Sequence, residues 1–223
     1  MEEEKRQFFN FSFFKVDPKW RWMADLAKEE SAKEVENVLK TSQAKFRTYS
    51  TLGLRDDAEF LFWFASDTVE QIQDTVSKLY LTVFGKYIIP THVYLSSTRP
   101  SIYAKGAGGH GWLAGEEQKK YVIVYPFIKT REWYHLPLKQ RKEMMDEHIG
   151  VGKKYPEVIL NTTYSFGIHD EDFMLAFETD RLDKFQDLIM DLRETMVSTY
   201  IKVDTPMIVS VKKDIIPLIK SLG

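Results

Sequence analysis

The chain has 223 residues, 43% of them hydrophobic and 14% aromatic, with a formal charge of -2 and a pI near 6.2. That length is long for one small domain and short for two full ones, and the apolar share is enough to bury a proper core. A charge this near neutrality offers no basic face for nucleic acid, and the absence of cysteine excludes disulfides, thiolate chemistry and cysteine-held metals.

The N-terminal MEEEKRQ is acidic with no apolar signal core behind it, and charged residues break every apolar run before it reaches membrane-spanning length. A soluble, cytoplasmic protein is the expectation. Residues 8–16, FFNFSFFKV, alternate well enough to read as a strand. Asp17-Pro18 is a helix start, a capping side chain before a proline, and predicts a helix to about Leu39 with Met23, Leu26, Val35, Val38 and Leu39 inward. Residues 45–54 and 59–65 read as strands joined by a turn through Gly53. Residues 69–84 form a helix with Val69, Ile72, Val76, Leu79 and Val83 on its apolar stripe, and 92–96 a closing strand.

The order βαββαβ then recurs. Residues 121–129 read as a strand, 137–155 as a helix ended by Pro156, 158–168 and 173–177 as strands, 182–200 as a helix and 207–211 as the last strand. LGLRDDAEFLFWFASD from Leu52 parallels FGIHDEDFMLAFETD from Phe166, with Gly53 against Gly167, Phe60 against Phe173 and Phe64 against Phe177, across one gap. The fold class expected is α+β: two ferredoxin-like repeats whose antiparallel sheets form a β-barrel with helices outside. The division expected is residues 1–97, a glycine-rich connection at 98–120, and 121–223. That connection contains Gly106-Ala107-Gly108-Gly109-His110-Gly111, formally a dinucleotide fingerprint. It precedes a strand instead of opening a helix, so a nucleotide site is rejected and a flexible lid expected.

The stretch 121–155 concentrates the candidate chemistry. Tyr125 and Lys129 share one face of a strand by its period of two. Trp133 and Tyr134 fall in a loop. His148 lies on a helical stripe with Met145, Ile149 and Gly152. The five histidines, at 92, 110, 135, 148 and 169, show no zinc-binding spacing. Taken singly, these residues read as a barrel-lining tyrosine, a solvated lysine, a packed tryptophan and a core histidine. Gly150 and Gly152 are the odd feature, since two glycines inside a helix cost about 1 kcal/mol each against alanine. That cost is easier to understand if something flat approaches the backbone.

Tyr125-Pro126-Phe127, Lys129, Trp133-Tyr134, Leu136-Pro137 and Glu147-His148, followed by the Gly150-x-Gly152-Lys-Lys-Tyr155 run, resemble the chlorite dismutase-like haem proteins, and among them the coproheme decarboxylase branch. The resemblance spans nearly the whole chain. It implies an enzyme that uses hydrogen peroxide to convert two propionates of coproheme to vinyl groups, giving haem b. It further implies an iron porphyrin (coproheme as both substrate and cofactor, or haem b) and a ring-shaped homopentamer.

By the same resemblance, His148 is the axial iron ligand, Tyr125 the radical site, Lys129 a propionate anchor and Trp133 a haem-edge residue. His110, upstream of Leu113-Ala114-Gly115-Glu116-Glu117, is the candidate distal base. Asn161, thirteen residues after His148, stands where chlorite dismutases proper carry a distal arginine and is counted with the cofactor-binding residues. Asparagine cannot mimic a charged guanidinium fork, which argues against chlorite decomposition. The family's proximal glutamate falls at Met196 or Val197, with Glu194 nearby as a replacement. Two other classes stay open: a haem-binding carrier or sensor without turnover, and a barrel that binds no haem.

Overall fold

The structure, a computed structural model, describes residues 6–103, 112 and 115–223. The glycine run at 106–111, with His110, lies outside these. Two compact units emerge, Met1–Ser97 with Val209–Gly223, and Thr98–Ile208. The C-terminal segment therefore belongs to the first unit, whereas the sequence reading places it with the second repeat. Among the described residues no helix is long and apolar enough to cross a membrane.

The first unit runs β1 (Phe8–Val16), α1 (Asp25–Lys40), β2 (Lys45–Ser50), β3 (Phe60–Ser66), α2 (Val69–Leu81) and β4 (Ile88–Ser97). Its antiparallel order is β4-β1-β3-β2, that of a ferredoxin-like sheet. One sheet face carries Phe14, Phe60, Phe62 and Phe64, which pack with Ala32, Val35 and Leu39 of α1 and Ile72 and Leu79 of α2. The second unit runs β5 (Tyr121–Lys129), α3 (Arg131–His135), α4 (Leu138–Gly152), β6 (Val158–Tyr164), β7 (Phe173–Thr179), α5 (Leu182–Arg193) and β8 (Ile201–Val203). Its pairing gives the order β8-β5-β7-β6, the same topology. The α+β class and the repeated unit are as expected.

Boundaries differ where helices break. The helix expected from Asp17 is instead a 3-10 turn, Pro18–Trp22, followed by extended backbone at Met23 and a fresh start at Asp25. The Asp17 carboxylate accepts from the Lys19 N–H at 2.8 Å, and Trp20 is buried edge-on against Phe84. Holding Trp20 inward rotates the following helix, so Leu26, expected inside, is 69% exposed. The second unit repeats the break: Trp133 and Tyr134 sit on α3, not in a loop, and α4 begins only after Pro137. The helix expected over 182–200 stops at Arg193. The Thr195 hydroxyl bonds back to the Leu192 carbonyl at 2.7 Å, and a 3-10 turn, Met196–Tyr200, follows. The last strand is β9 (Ile208–Lys212), and an unforeseen α6 (Ile215–Lys220) buries Ile215, Leu218 and Ile219 in the first unit's core.

The duplication is closer in space than in sequence. The first residues of β1 and β5, α1 and α4, β3 and β7, α2 and α5 are each 113 apart (121 − 8 for the first pair). This register exposes a carboxylate device the sequence comparison missed. Glu59, just before β3, accepts from the Val16 N–H at the end of β1 (2.8 Å) and from the Arg21 side chain. Asp172, just before β7, accepts from the Lys129 N–H at the end of β5 (2.8 Å) and from the Tyr134 hydroxyl (2.6 Å). Each acid ties the end of the first strand to the turn that follows. Asp172→Ala leaves both donors without this acceptor, and unfolding in urea should show a loss of about 1–3 kcal/mol.

Candidate functional site

The 113-residue offset pairs each core position of the first unit with one in the second. Ser12, Phe14 and Val16 correspond to Tyr125, Phe127 and Lys129; Trp20 to Trp133; Ala32, Val35 and Leu39 to Met145, His148 and Gly152. In the first unit these positions, Ser12 apart, fill the layer between sheet and helix with apolar side chains, and α1 buries five residues. In the second unit none of the fifteen residues of α4 is fully buried. Facing sheet residues Leu160, Thr162 and Leu175 are likewise only partly covered. A β-carbon added at Gly150 or Gly152 would meet no other atom within 4 Å, so protein packing does not require glycine there.

Strand pairing decides which side chains share this face. Tyr125 stands opposite Leu175, and Leu175 opposite Thr162. Cross-strand partners point to the same side, so Tyr125, Leu175, Thr162 and their alternate neighbours Phe127, Phe177 and Leu160 form one surface. Tyr125 is 4% exposed and stacks on Phe177 with centroids 5.8 Å apart. Burial raises its phenol above the ordinary range, so it stays protonated at any physiological pH.

Lys129 joins that surface through Phe127, whose ring centroid lies 5.3 Å from Nζ. Nζ is also 4.2 Å from the centroid of the buried Trp133 ring, a close cation–π contact. It has no hydrogen-bond partner among the described residues. Burial lowers the Lys129 ammonium to about 8, although the Asp172 charge opposes the shift. Trp133 is held in turn between Tyr103, 6.1 Å away, and Tyr200, 5.6 Å away.

His148 is half-buried on α4, and its Nδ1 also lacks a partner among the described residues. Burial first, and the Lys129 charge second, push the imidazole down to about 4, outweighing the opposite pull of Glu147. It is therefore neutral at pH 7, with a lone pair to give. On α4, Glu147 accepts from the Met196 N–H at 3.2 Å, and just beyond the helix the Tyr155 hydroxyl donates to Asp191 at 2.7 Å. Glu194 is exposed at the end of α5, Met196 is 56% exposed and Val197 is buried. No carboxylate backs His148 among the described residues.

Asn161 is not brought to this face. It pairs with Ala176, and Ala176 with Val124, so it points to the opposite side of the sheet from Tyr125. There its amide donates to the Glu178 carboxylate at 3.0 Å and to the Ala176 carbonyl at 3.3 Å. Glu178, fully buried, also accepts from the Trp112 N–H at 3.2 Å. Counting thirteen residues from His148 lands on the other face, and the two neighbours of Asn161 in β6, Leu160 (38% exposed) and Thr162, are the ones on Tyr125's side. A one-residue error reverses the face of a strand. Asn161→Ala should therefore cost about 1–2 kcal/mol in chemical denaturation by removing a donor from a buried acid, and leave ligand binding at the α4 face unchanged.

The depressed imidazole also makes a pH prediction. Below its ordinary value of 6.5 the unfolded chain binds a proton that folded His148 refuses until about 4. Stability of the ligand-free protein should fall as pH drops from 6.5 towards 4. His148→Ala should flatten that part of the pH–stability curve, measured by urea unfolding.

Comparison with known proteins gives a consistent result. The family described as Chlorite dismutase matches residues 28–213. A coproheme decarboxylase of Mycolicibacterium smegmatis is 37% identical over 161 residues, 71% of this chain and 68% of that protein. A mutant chlorite dismutase from Candidatus Nitrospira defluvii superposes with a TM-score of 0.88 at 22% identity, covering 97% of this chain and 95% of the other. A haem-binding protein from Thermus thermophilus gives 0.86 at 20% identity, covering 97% and 95%. The chain belongs to the chlorite dismutase family.

Proposed function

We propose that the protein is a coproheme decarboxylase, oxidising two propionates of coproheme to vinyl groups with hydrogen peroxide and giving haem b. The observation that carries this is the set of groups on the α4 face. A neutral histidine and a buried lysine, whose Nδ1 and Nζ lack hydrogen-bond partners among the described residues, and a buried tyrosine line a layer that the first unit fills with its own side chains. These fit an iron porphyrin bearing carboxylates: His148 suits the iron, and Lys129 a propionate.

When bound, the iron porphyrin with peroxide supplies one-electron oxidising equivalents. The residues of the chain do the rest. Tyr125, kept protonated by burial, can give up an electron and its phenolic proton together. The resulting phenoxyl takes a hydrogen atom from the propionate carbon next to the ring and returns to phenol. A second electron leaves the substrate as the C–C bond to the carboxylate breaks, releasing carbon dioxide and leaving the vinyl group. Each propionate so loses two electrons and one proton, balanced by reduction of one peroxide to two waters. Lys129 holds a carboxylate in the correct register by charge and hydrogen bond, which a dry ammonium does strongly. Leu160 and Thr162, on Tyr125's face of β6, carry no basic group, so we assign proton removal from peroxide to His110. Decomposition of chlorite is not proposed, since residues 158–164 contain no arginine.

A second reading, porphyrin binding without turnover, is favoured by one observation: no carboxylate backs His148 among the described residues, and such a partner raises ligand basicity. One experiment separates the two. Ferric coproheme is added to the purified protein, peroxide is titrated in, and product mass is followed. Two successive losses of the mass of formic acid (carbon dioxide plus two hydrogens) are expected from the native chain. Tyr125→Phe should bind coproheme as well as the native chain, because the ring remains, and give no vinyl product. Bleaching of bound porphyrin without loss of mass would leave only the binding reading.

A further inference from the structure

One half-buried cation of the second unit has no part in the reaction above. Arg141 lies on α4 seven residues before His148. Seven residues make two turns, so both stand on the same helix face about 10 Å apart along the axis. Arg141 is half-buried; one terminal nitrogen donates to the Tyr103 hydroxyl at 3.2 Å, and its Nε is buried with no partner among the described residues. The Tyr103 ring rests on Trp133, and the Trp133 ring on Lys129. Two cations from two different elements are thus linked through one indole, Lys129 directly and Arg141 by way of Tyr103.

The duplication sharpens the point. The first-unit counterpart of Arg141 is Lys28, whose ammonium donates to the Arg21 carbonyl at 3.2 Å and lies 3.8 Å from Asp25. There the cation is satisfied internally. For Arg141 no acidic side chain serves among the described residues, and a half-dry guanidinium keeps donors aimed for a planar acceptor. Leaving such donors unmet in a folded protein is costly.

We propose that Arg141 is a second carboxylate-binding group of the site, so that the ligand is a porphyrin whose acid side chains reach two separate cations, Lys129 and Arg141. The proposal rests on the porphyrin reading given above. The span along α4 from His148 to Arg141 is of the order of that from the centre of such a macrocycle to its acid groups. Arginine adds what the lysine lacks, a planar two-pronged grip on carboxylate.

The test compares ferric coproheme with its tetramethyl ester, in which every acid is neutral, each titrated by absorbance into the native chain and into Arg141→Met in the same non-ionic detergent. Loss of affinity for the acid by about tenfold or more (1.4 kcal/mol per tenfold), with the ester unchanged, is expected. Arg141→Lys should fall between the two, because an ammonium keeps charge but not the fork. Should Arg141→Met fail to fold, Arg141→Lys carries the comparison alone, with a smaller loss for the acid and none for the ester. Equal losses for acid and ester, or no loss in a variant that melts like the native chain, would overturn the role and leave Arg141 a support for Tyr103. Native protein that binds no ferric coproheme at all would instead remove the porphyrin reading, and this inference with it.

Discussion

A buried ammonium resting on an indole, with no hydrogen-bond partner among the described residues, is the interaction on which the candidate site depends. Lys129 sits 4.2 Å from the Trp133 ring centroid with burial already lowering its affinity for a proton. A cation–π contact recovers only part of what water gave the charge. The remainder is best met by an anion, and this explains why several elements converge on the lysine. Asp172 grips its backbone N–H and the Tyr134 hydroxyl, Trp133 is wedged between Tyr103 and Tyr200, and the same charge helps keep His148 neutral.

The two units show how a duplicated fold divides its labour. Each has a carboxylate closing the end of its first strand, each has a buried tryptophan four residues beyond that strand, and each lays a helix over the same sheet face. In the first unit the face is phenylalanine against Ala32, Val35 and Leu39, a closed core that burial of apolar area stabilises. In the second, the phenylalanines recur at Phe127, Phe173 and Phe177, but Met145, His148 and Gly152 replace the helix residues, and Tyr125 and Lys129 stand where the first unit has Ser12 and Val16. Apolar packing between sheet and helix is fuller in the first copy, while the second carries polar and partly covered groups in that layer.

Much of this is legible in the chain. Strand β5 reads to the residue, because 121–129 is apolar and bounded by charge, and period alone places Tyr125 and Lys129 on one face. The duplication is visible across residues 52–76 and 166–189, where turn glycines and strand phenylalanines repeat. Other features resist for physical reasons. The break between Trp22 and Asp25 depends on where Trp20 docks, a contact with Phe84 sixty-four residues away (84 − 20). Helix α6 is short and contains a proline, so only packing on the first unit marks it as helix. Asn161 is misplaced by counting because residue counts across a turn cannot give strand register, which hydrogen bonds between strands set.

The sequence by itself determined the fold class, the doubled βαββαβ order and the identity of Tyr125, Lys129, Trp133 and His148 as the residues to watch. Fold class and order follow from local periodicity, which acts within a few positions along the chain; the four residues stand out by their resemblance to a known family's motifs, since residue type alone reads each as ordinary. Only the tertiary structure decided that Leu160 and Thr162, not Asn161, share Tyr125's face, that Asp172 holds the lysine's turn, and that Arg141 is joined through Tyr103 to the tryptophan that Lys129 rests on. Those relations come from pairing and packing between distant segments, and no short-range pattern in the chain encodes them.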